Sequence, residues 1–346
     1  MNKPAKLKPA LVLGSGFHQH VLGETSNKQV QPLYSWHELV TQVAERLQVA
    51  VPSTALTPIH RWESLVLRAV SDGYRSIKGA WHDRHAHAPY MAEKEARRAV
   101  ATVLEDATNN YPPSARAKIP LHDGWGTVIS LNFDHAWLPA DAKDDTAEVK
   151  KSWEGPLHLL KREFDRLTVN RQFSTAQASS KRRVWFPNGI HSMPHTIRMG
   201  IDDYGAAPHA IQVAYNRLKQ WEQQSSTSVQ SPEAQFQNCA AALLSEHLGE
   251  PTFPLSWVTE FLYRPIIFAG VGLSDQEIGL WWLLSKRARN MARVHAQNHV
   301  YILLDAKASK DAWSHNAFGI TPIYCDNWDA GWARVVKKAE ELNIGL

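Results

Sequence analysis

Five short runs of β-branched or apolar residues, at 10–13, 127–131, 184–186, 265–269 and 300–304, constrain this chain more than any other feature. Residues 320–325 make a sixth candidate. None shows the polar/apolar alternation of a strand with one wet face. Continuous runs of this length suit parallel strands covered by helices on both sides. Between them the apolar spacing turns helical. Ser35 and Glu38 make a capping-box pattern ahead of Trp36, Leu39, Val40, Val43 and Leu47, and Ser274 and Glu277 repeat it ahead of Ile278, Trp281 and Trp282. Ala96, Ala99, Val100, Val103 and Leu104 form a stripe, as do Trp153, Leu157, Leu160, Phe164 and Leu167, and finally Trp332, Val335, Val336, Ala339 and Leu342. Strands alternating with helices predict an α/β fold with a doubly wound, Rossmann-like parallel sheet.

The spacing is uneven, because residues 14–126 separate the first run from the second, too many for one crossover. A chain of 346 residues can bury one large core or two modest ones. The expectation is therefore a single domain over 1–346 with large helical insertions at about 35–118 and 205–262. The polar stretch 223–235 reads as a surface loop between helices. No internal repeat is present.

Composition narrows the function classes. Hydrophobic residues make up 44% and charged residues 21%, which excludes wholesale disorder. The net charge is +4 and the pI about 8.9, but no Lys/Arg stripe accompanies them, so direct nucleic-acid binding is not expected. The densest basic run, Lys181-Arg182-Arg183, reads as a solvated strand entry. Two distant cysteines, Cys239 and Cys325, give neither a disulfide framework nor a four-cysteine zinc site. Cys325 reads as core, since no histidine–carboxylate arrangement stands near it in sequence. His82, His85 and His87 read as a solvated cluster, so no metal is expected. No signal-type apolar region precedes the first strand, and no apolar stretch is long enough to span a bilayer, so no membrane association is expected and the expected location is cytoplasmic. The 14 tryptophans sit mostly at helical spacing, as core or interface residues do.

Four segments carry residues suited to chemistry. Leu11-Val12-Leu13-Gly14-Ser15-Gly16-Phe17 runs a strand into Gly-x-Gly, which lets backbone approach a pyrophosphate closely. Position 19 is Gln, so the third glycine of the dehydrogenase fingerprint is missing. Asn132 and Asp134 follow the second strand, at the end where open α/β sheets bind ligands. Residues 185–195, from Trp185 to His195, are followed by Ile201-Asp202-Asp203-Tyr204. Ile266 to Ser274 and Asp275 again run a strand into Gly-x-Gly, here Gly270-Val271-Gly272.

In this order the four segments resemble a sirtuin-like domain of the bacterial kind that hydrolyses NAD in defence against phage. The resemblance spans residues 10 to about 280, and the order and spacing of the motifs carry it. The missing cysteines agree, since NAD-hydrolysing relatives lack the zinc module of protein-deacylating sirtuins. The resemblance implies NAD⁺ as substrate or ligand. Gly14, Ser15, Gly16 and Phe17 would hold the pyrophosphate and shape the nicotinamide side. Asn132 would touch the nicotinamide ribose and the attacking water, with Asp134 in support, and Gly270, Gly272, Ser274 and Asp275 would line the adenosine side. The family's histidine directly precedes a glycine; here Asn188 stands before Gly189, and His191 lies three residues on.

Cleaving the nicotinamide–ribose bond develops positive charge on the sugar, so a site must fix the ribose, place a water and offer a base. Asparagine orients but cannot take a proton at neutral pH, whereas histidine can. His191 is the candidate base, with His195 behind it and His18 as a ligand-contacting or gating residue. The expected activity is an NAD⁺ glycohydrolase acting in antiphage defence by NAD depletion. Its trigger would come from self-assembly as a homo-oligomer or from a separately encoded sensor in a hetero-complex. The alternative is a catalytically weak NAD- or ADP-ribose-binding subunit that regulates a partner. The lost zinc module and the absence of an acyl-lysine channel motif count against a protein deacylase.

Overall fold

The computed structural model describes residues 7–17, 35–76, 88–109, 124–134, 138, 143–144, 170–174, 182–225, 230–245, 253–273, 277–306 and 316–342. Each apolar run becomes a strand. In chain order the elements are β1 (Ala10–Leu13), α1 (Trp36–Arg46), α2 (Pro58–Ser76), α3 (Ala88–Asn109), β2 (Thr127–Ser130), β3 (Lys143–Asp144), β4 (Asn170–Ser174) and β5 (Arg182–Trp185). There follow α4 (Ile201–Ser225), α5 (Pro232–Ser245), α6 (Trp257–Tyr263), β6 (Ile266–Ala269), α7 (Ile278–Arg293), β7 (Val300–Asp305), β8 (Ile320–Cys325) and α8 (Trp328–Glu341).

The strands form one sheet in the order β3-β4-β5-β2-β1-β6-β7-β8. The six strands from β5 to β8 are all parallel. Numbered among themselves they run 3-2-1-4-5-6, the doubly wound Rossmann order, whose direction reverses between β1 and β6. There Leu13 stands level with Ser130 of β2 and Ala269 of β6, so the loops after these strands emerge side by side. The antiparallel edge strands β3 and β4 escape sequence reading, because Lys143–Asp144 and Asn170–Ser174 are polar and carry no apolar run.

Successive strand residues go to opposite faces. Val12, Ile129, Phe268 and Ile302 pack against Leu218, Leu243, Phe261 and Leu283 of α4 to α7, and Leu11, Leu13, Ile267 and Leu303 pack with Val335 and Ala339 of α8. Fully burying each such side chain contributes about 1.5–3 kcal/mol. A third cluster joins α1, α2 and α3 to Phe133, Ile197 and Met199, which lie beyond the carboxyl ends of β2 and β5. Part of the inserted helical region therefore packs on the loops at that end of the sheet. The opposite end is closed by ionic contacts. Fully buried Glu260 pairs with Arg264 and lies 3.7 Å from Arg183, while Arg264 Nη1 donates to the Lys8 carbonyl at 2.9 Å.

Two expectations about element bounds change. The 223–235 stretch is not wholly loop: α4 continues to Ser225 and α5 begins at Pro232, because Trp221 and Phe236 still have core to pack against. The helix expected to follow Ser274 starts at Ile278, with Glu277 at the cap position and no side-chain cap bond among the described residues. The Ser35 cap forms as expected, accepting from Glu38 N–H at 3.1 Å. The 153–167 stripe lies outside the described residues, as do His18, His82, His85, His87, Lys181, Ser274 and Asp275.

Candidate active site

Both Gly-x-Gly turns leave adjacent strands at the switch point, and they touch. Gly14 N–H donates to Ala269 O and Gly16 N–H to Gly270 O, each at 3.0 Å. A Cβ on Gly14 would run into the Gly270 carbonyl oxygen, and one on Gly270 into the backbone nitrogen of Phe17. Gly270 also has φ +68°, where a side chain is strained. Three glycines thus let two backbones meet. Gly272 differs, since a Cβ there would project into open space.

This packing qualifies the expected phosphate cradle. The N–H groups of Gly14 and Gly16 are engaged across the loops, and that of Phe17 donates to Gly14 O at 3.1 Å. Phe17 is 2% exposed, with its ring 5.2 Å from that of Trp332. Its ring packs in the core, where α8 offers it an aromatic partner. Ser15 and Gly272 remain the loop positions suited to meeting a ligand.

The loops after β2 and β5 are interlocked. Asn188 Nδ2 donates to Leu131 O at 2.9 Å. His191 N–H donates to Phe133 O at 2.7 Å, and its Nδ1 lies 3.2 Å from the same oxygen. A carbonyl only accepts, so in the neutral ring Nδ1 carries the proton and Nε2 the basic lone pair. Asn132, Asp134 and His191 are all buried, and Asn132 Nδ2 has no hydrogen-bond partner among the described residues. A buried amide without a partner is costly, and such groups mark places where something else supplies the acceptor. Asn132 and His191 are therefore brought to one pair of loops. His195 is exposed on the short 3-10 turn Pro194–Thr196 and does not share this setting.

Helices of the insertion hold these loops from outside. Arg97 of α3 donates to Ile197 O at 2.6 Å and pairs with Asp203 at 2.8 Å and with Glu93. Asp203 Oδ2 also accepts the N–H groups of Met199 and Gly200, at 3.0 and 3.3 Å. Trp36 of α1 lies between Phe133 and Tyr204, at ring separations of 5.5 and 5.7 Å.

Beside the Asn188–Leu131 contact opens a cleft of about 510 Å³, counted out to solvent, walled by Leu131, Asn188, Arg198, Tyr204, Trp257 and Glu277. Burial pushes the Glu277 carboxyl above its ordinary range. Burial, then the negative charges of Glu277 and Asp203, raise the Tyr204 phenol, with Arg198 opposing.

Neither a family model nor a curated protein matches the chain. Chemistry must therefore be judged from the residues themselves. The interlocked loops carry an imidazole held at Nδ1 by a carbonyl and the amide of Asn132, and the apolar-walled cleft beside the Asn188–Leu131 contact adds the Glu277 carboxyl, a set of groups able to meet a polar ligand. Among the described residues no group of three or more His, Cys, Asp or Glu is placed to hold a metal, and no helix is long and apolar enough to cross a membrane. Sequence reading missed Glu277, Arg198 and Trp257 as cleft residues, because each stands alone in sequence. Glu277 reads in sequence as part of a capping box, which hides its place in the cleft lining.

Proposed function

We propose that the chain hydrolyses the nicotinamide–ribose bond of NAD⁺, giving nicotinamide and ADP-ribose, with His191 as general base and Asn132 orienting ribose and water. The observation that carries this is the seating of His191: Phe133 O selects the tautomer that leaves Nε2 basic, one residue from the unpartnered amide of Asn132. The 3-2-1-4-5-6 strand order, with glycine turns at the switch, supports a dinucleotide as ligand. Together with the resemblance of the four motifs, these features fit an NAD⁺-depleting device in antiphage defence, set off by assembly or by a separate sensor protein.

Nicotinamide release from NAD⁺ by the purified protein tests this directly, beside His191→Ala and Asn132→Ala. General-base removal typically costs about 10²–10⁴-fold, and a loss of that order is expected in His191→Ala. Release that persists in both variants, with folding unchanged, would remove these residues from the mechanism. A second reading, an NAD-binding subunit without turnover, draws on the engaged N–H groups of Gly14 and Gly16 and on Asn188, whose amide is tied to Leu131 O. Tight NAD⁺ binding with no nicotinamide release, even with a partner present, would select it.

A further inference from the structure

Glu277 stands at the start of α7 and lines the cleft. Among the described residues it makes no capping bond, and it is half-buried in the cleft that Asn188 and Leu131 also line. Sheltering a carboxylate is unfavourable unless something repays it, and perturbed carboxyls in clefts cluster at functional sites. The charged and titratable groups around this part of the cleft are Arg198, from the segment after β5, with Tyr204 and Asp203 from α4. The apolar walls from Leu131, Ile211, Trp257 and Leu280 lower the effective dielectric and strengthen the field of any charge inside.

We propose that Glu277 is a catalytic carboxylate of this site, lying against the ribose and stabilising the positive charge that develops as the glycosidic bond breaks. The proposal rests on the NAD⁺-hydrolysis reading above and assigns that site a second group. In the step, the C1′–N bond breaks with its electron pair going to the pyridinium nitrogen, which leaves as neutral nicotinamide. Water oxygen bonds to C1′ and its proton passes to His191. Glu277 stays ionised throughout and acts through its field, the role of a fixed negative charge beside an oxocarbenium-like sugar. Asn188, which cannot carry charge, lines the same cleft, and nearby Asp203 is paired with Arg97, so among the described cleft-lining residues the carboxylate is that of Glu277.

The test is the pH dependence of kcat and KM for nicotinamide release in wild type, Glu277→Gln and Glu277→Asp. Glutamine keeps the shape and removes the charge. The expected result is a fall in kcat of about 100-fold or more with KM within a few fold, as for loss of one preorganised electrostatic group. The acid-side decline of kcat, set in wild type by protonation of Glu277, should show partial rescue by aspartate and a changed profile in glutamine. A Glu277→Gln enzyme with wild-type kcat and an unaltered acid limb overturns the proposal and leaves the hydrolase reading standing. A wild type that releases no nicotinamide under any condition overturns both.

Discussion

Gly270 meets two demands, a positive φ and backbone contact with Phe17, while Gly272 meets neither. Gly270→Ala should therefore destabilise by about 1–3 kcal/mol or more, read as a lower midpoint in urea. Gly272→Ala should leave stability unchanged, so any loss of NAD⁺ or ADP-ribose affinity in that variant reports on ligand contact. Equal destabilisation by the two substitutions would contradict this division. Glu277 makes the complementary case. Its carboxyl is raised above the ordinary 4.5 by burial, so the folded state binds protons more tightly than the unfolded chain. An acid raised in this way destabilises the fold at neutral pH, and that penalty fades as pH falls below the folded value and vanishes below 4.5. Glu277→Gln should thus raise Tm at pH 7 while lowering turnover, and the Tm difference should shrink on acidification. A variant less stable than wild type at pH 7 would mean that the carboxylate serves packing instead.

At the scale of elements, the insertion does more than occupy chain. Helices α1 to α3 bury Phe133, Ile197 and Met199, and Arg97 clamps the 197–203 segment through a carbonyl and a carboxylate. Hydrogen bonds to charged groups contribute about 1.5–3 kcal/mol, so Arg97→Gln should cost about that much. Breaking the exposed Arg46–Asp106 pair on the same insertion should cost about 0–1 kcal/mol. Because the clamped segment leads back to His191, the Arg97 variant should also lose turnover where the Arg46 variant does not. Urea melts and nicotinamide release on both proteins check this; matched behaviour would show that the insertion is not coupled to the loops. The polar stretch 223–235 is shorter as a loop than its composition suggests, since aromatic residues at its ends extend the helices on both sides.

For the whole molecule, the two ends of the sheet are treated differently. Buried Glu260 and Arg264, with half-buried Arg183, close the amino end, while the carboxyl end carries the glycine turns, the interlocked loops and the cleft. A ligand that binds only the folded state at 100 times its Kd adds about 2.7 kcal/mol of stability, so ADP-ribose or NAD⁺ should raise Tm measurably. If self-assembly is the trigger, specific activity should climb with protein concentration in step with the oligomeric fraction measured by light scattering. Full activity in a monomer would remove assembly from the scheme.

The sequence by itself determined the six parallel strands, because an apolar run without alternation has no other comfortable place than between two helical layers. It also marked Gly14, Gly270 and Asn132 as strand-end residues, since position along a run reveals which end of a strand a residue follows. Tertiary structure alone decided the rest. That Gly14 and Gly16 serve contact with Gly270, that Phe17 belongs to the core with Trp332, and that Glu277 shares a cleft with Asn188 all depend on segments more than 80 residues apart being brought together. Local spacing carries strand and helix periodicity, whereas a site's electrostatics arise from which distant loops the sheet order places side by side.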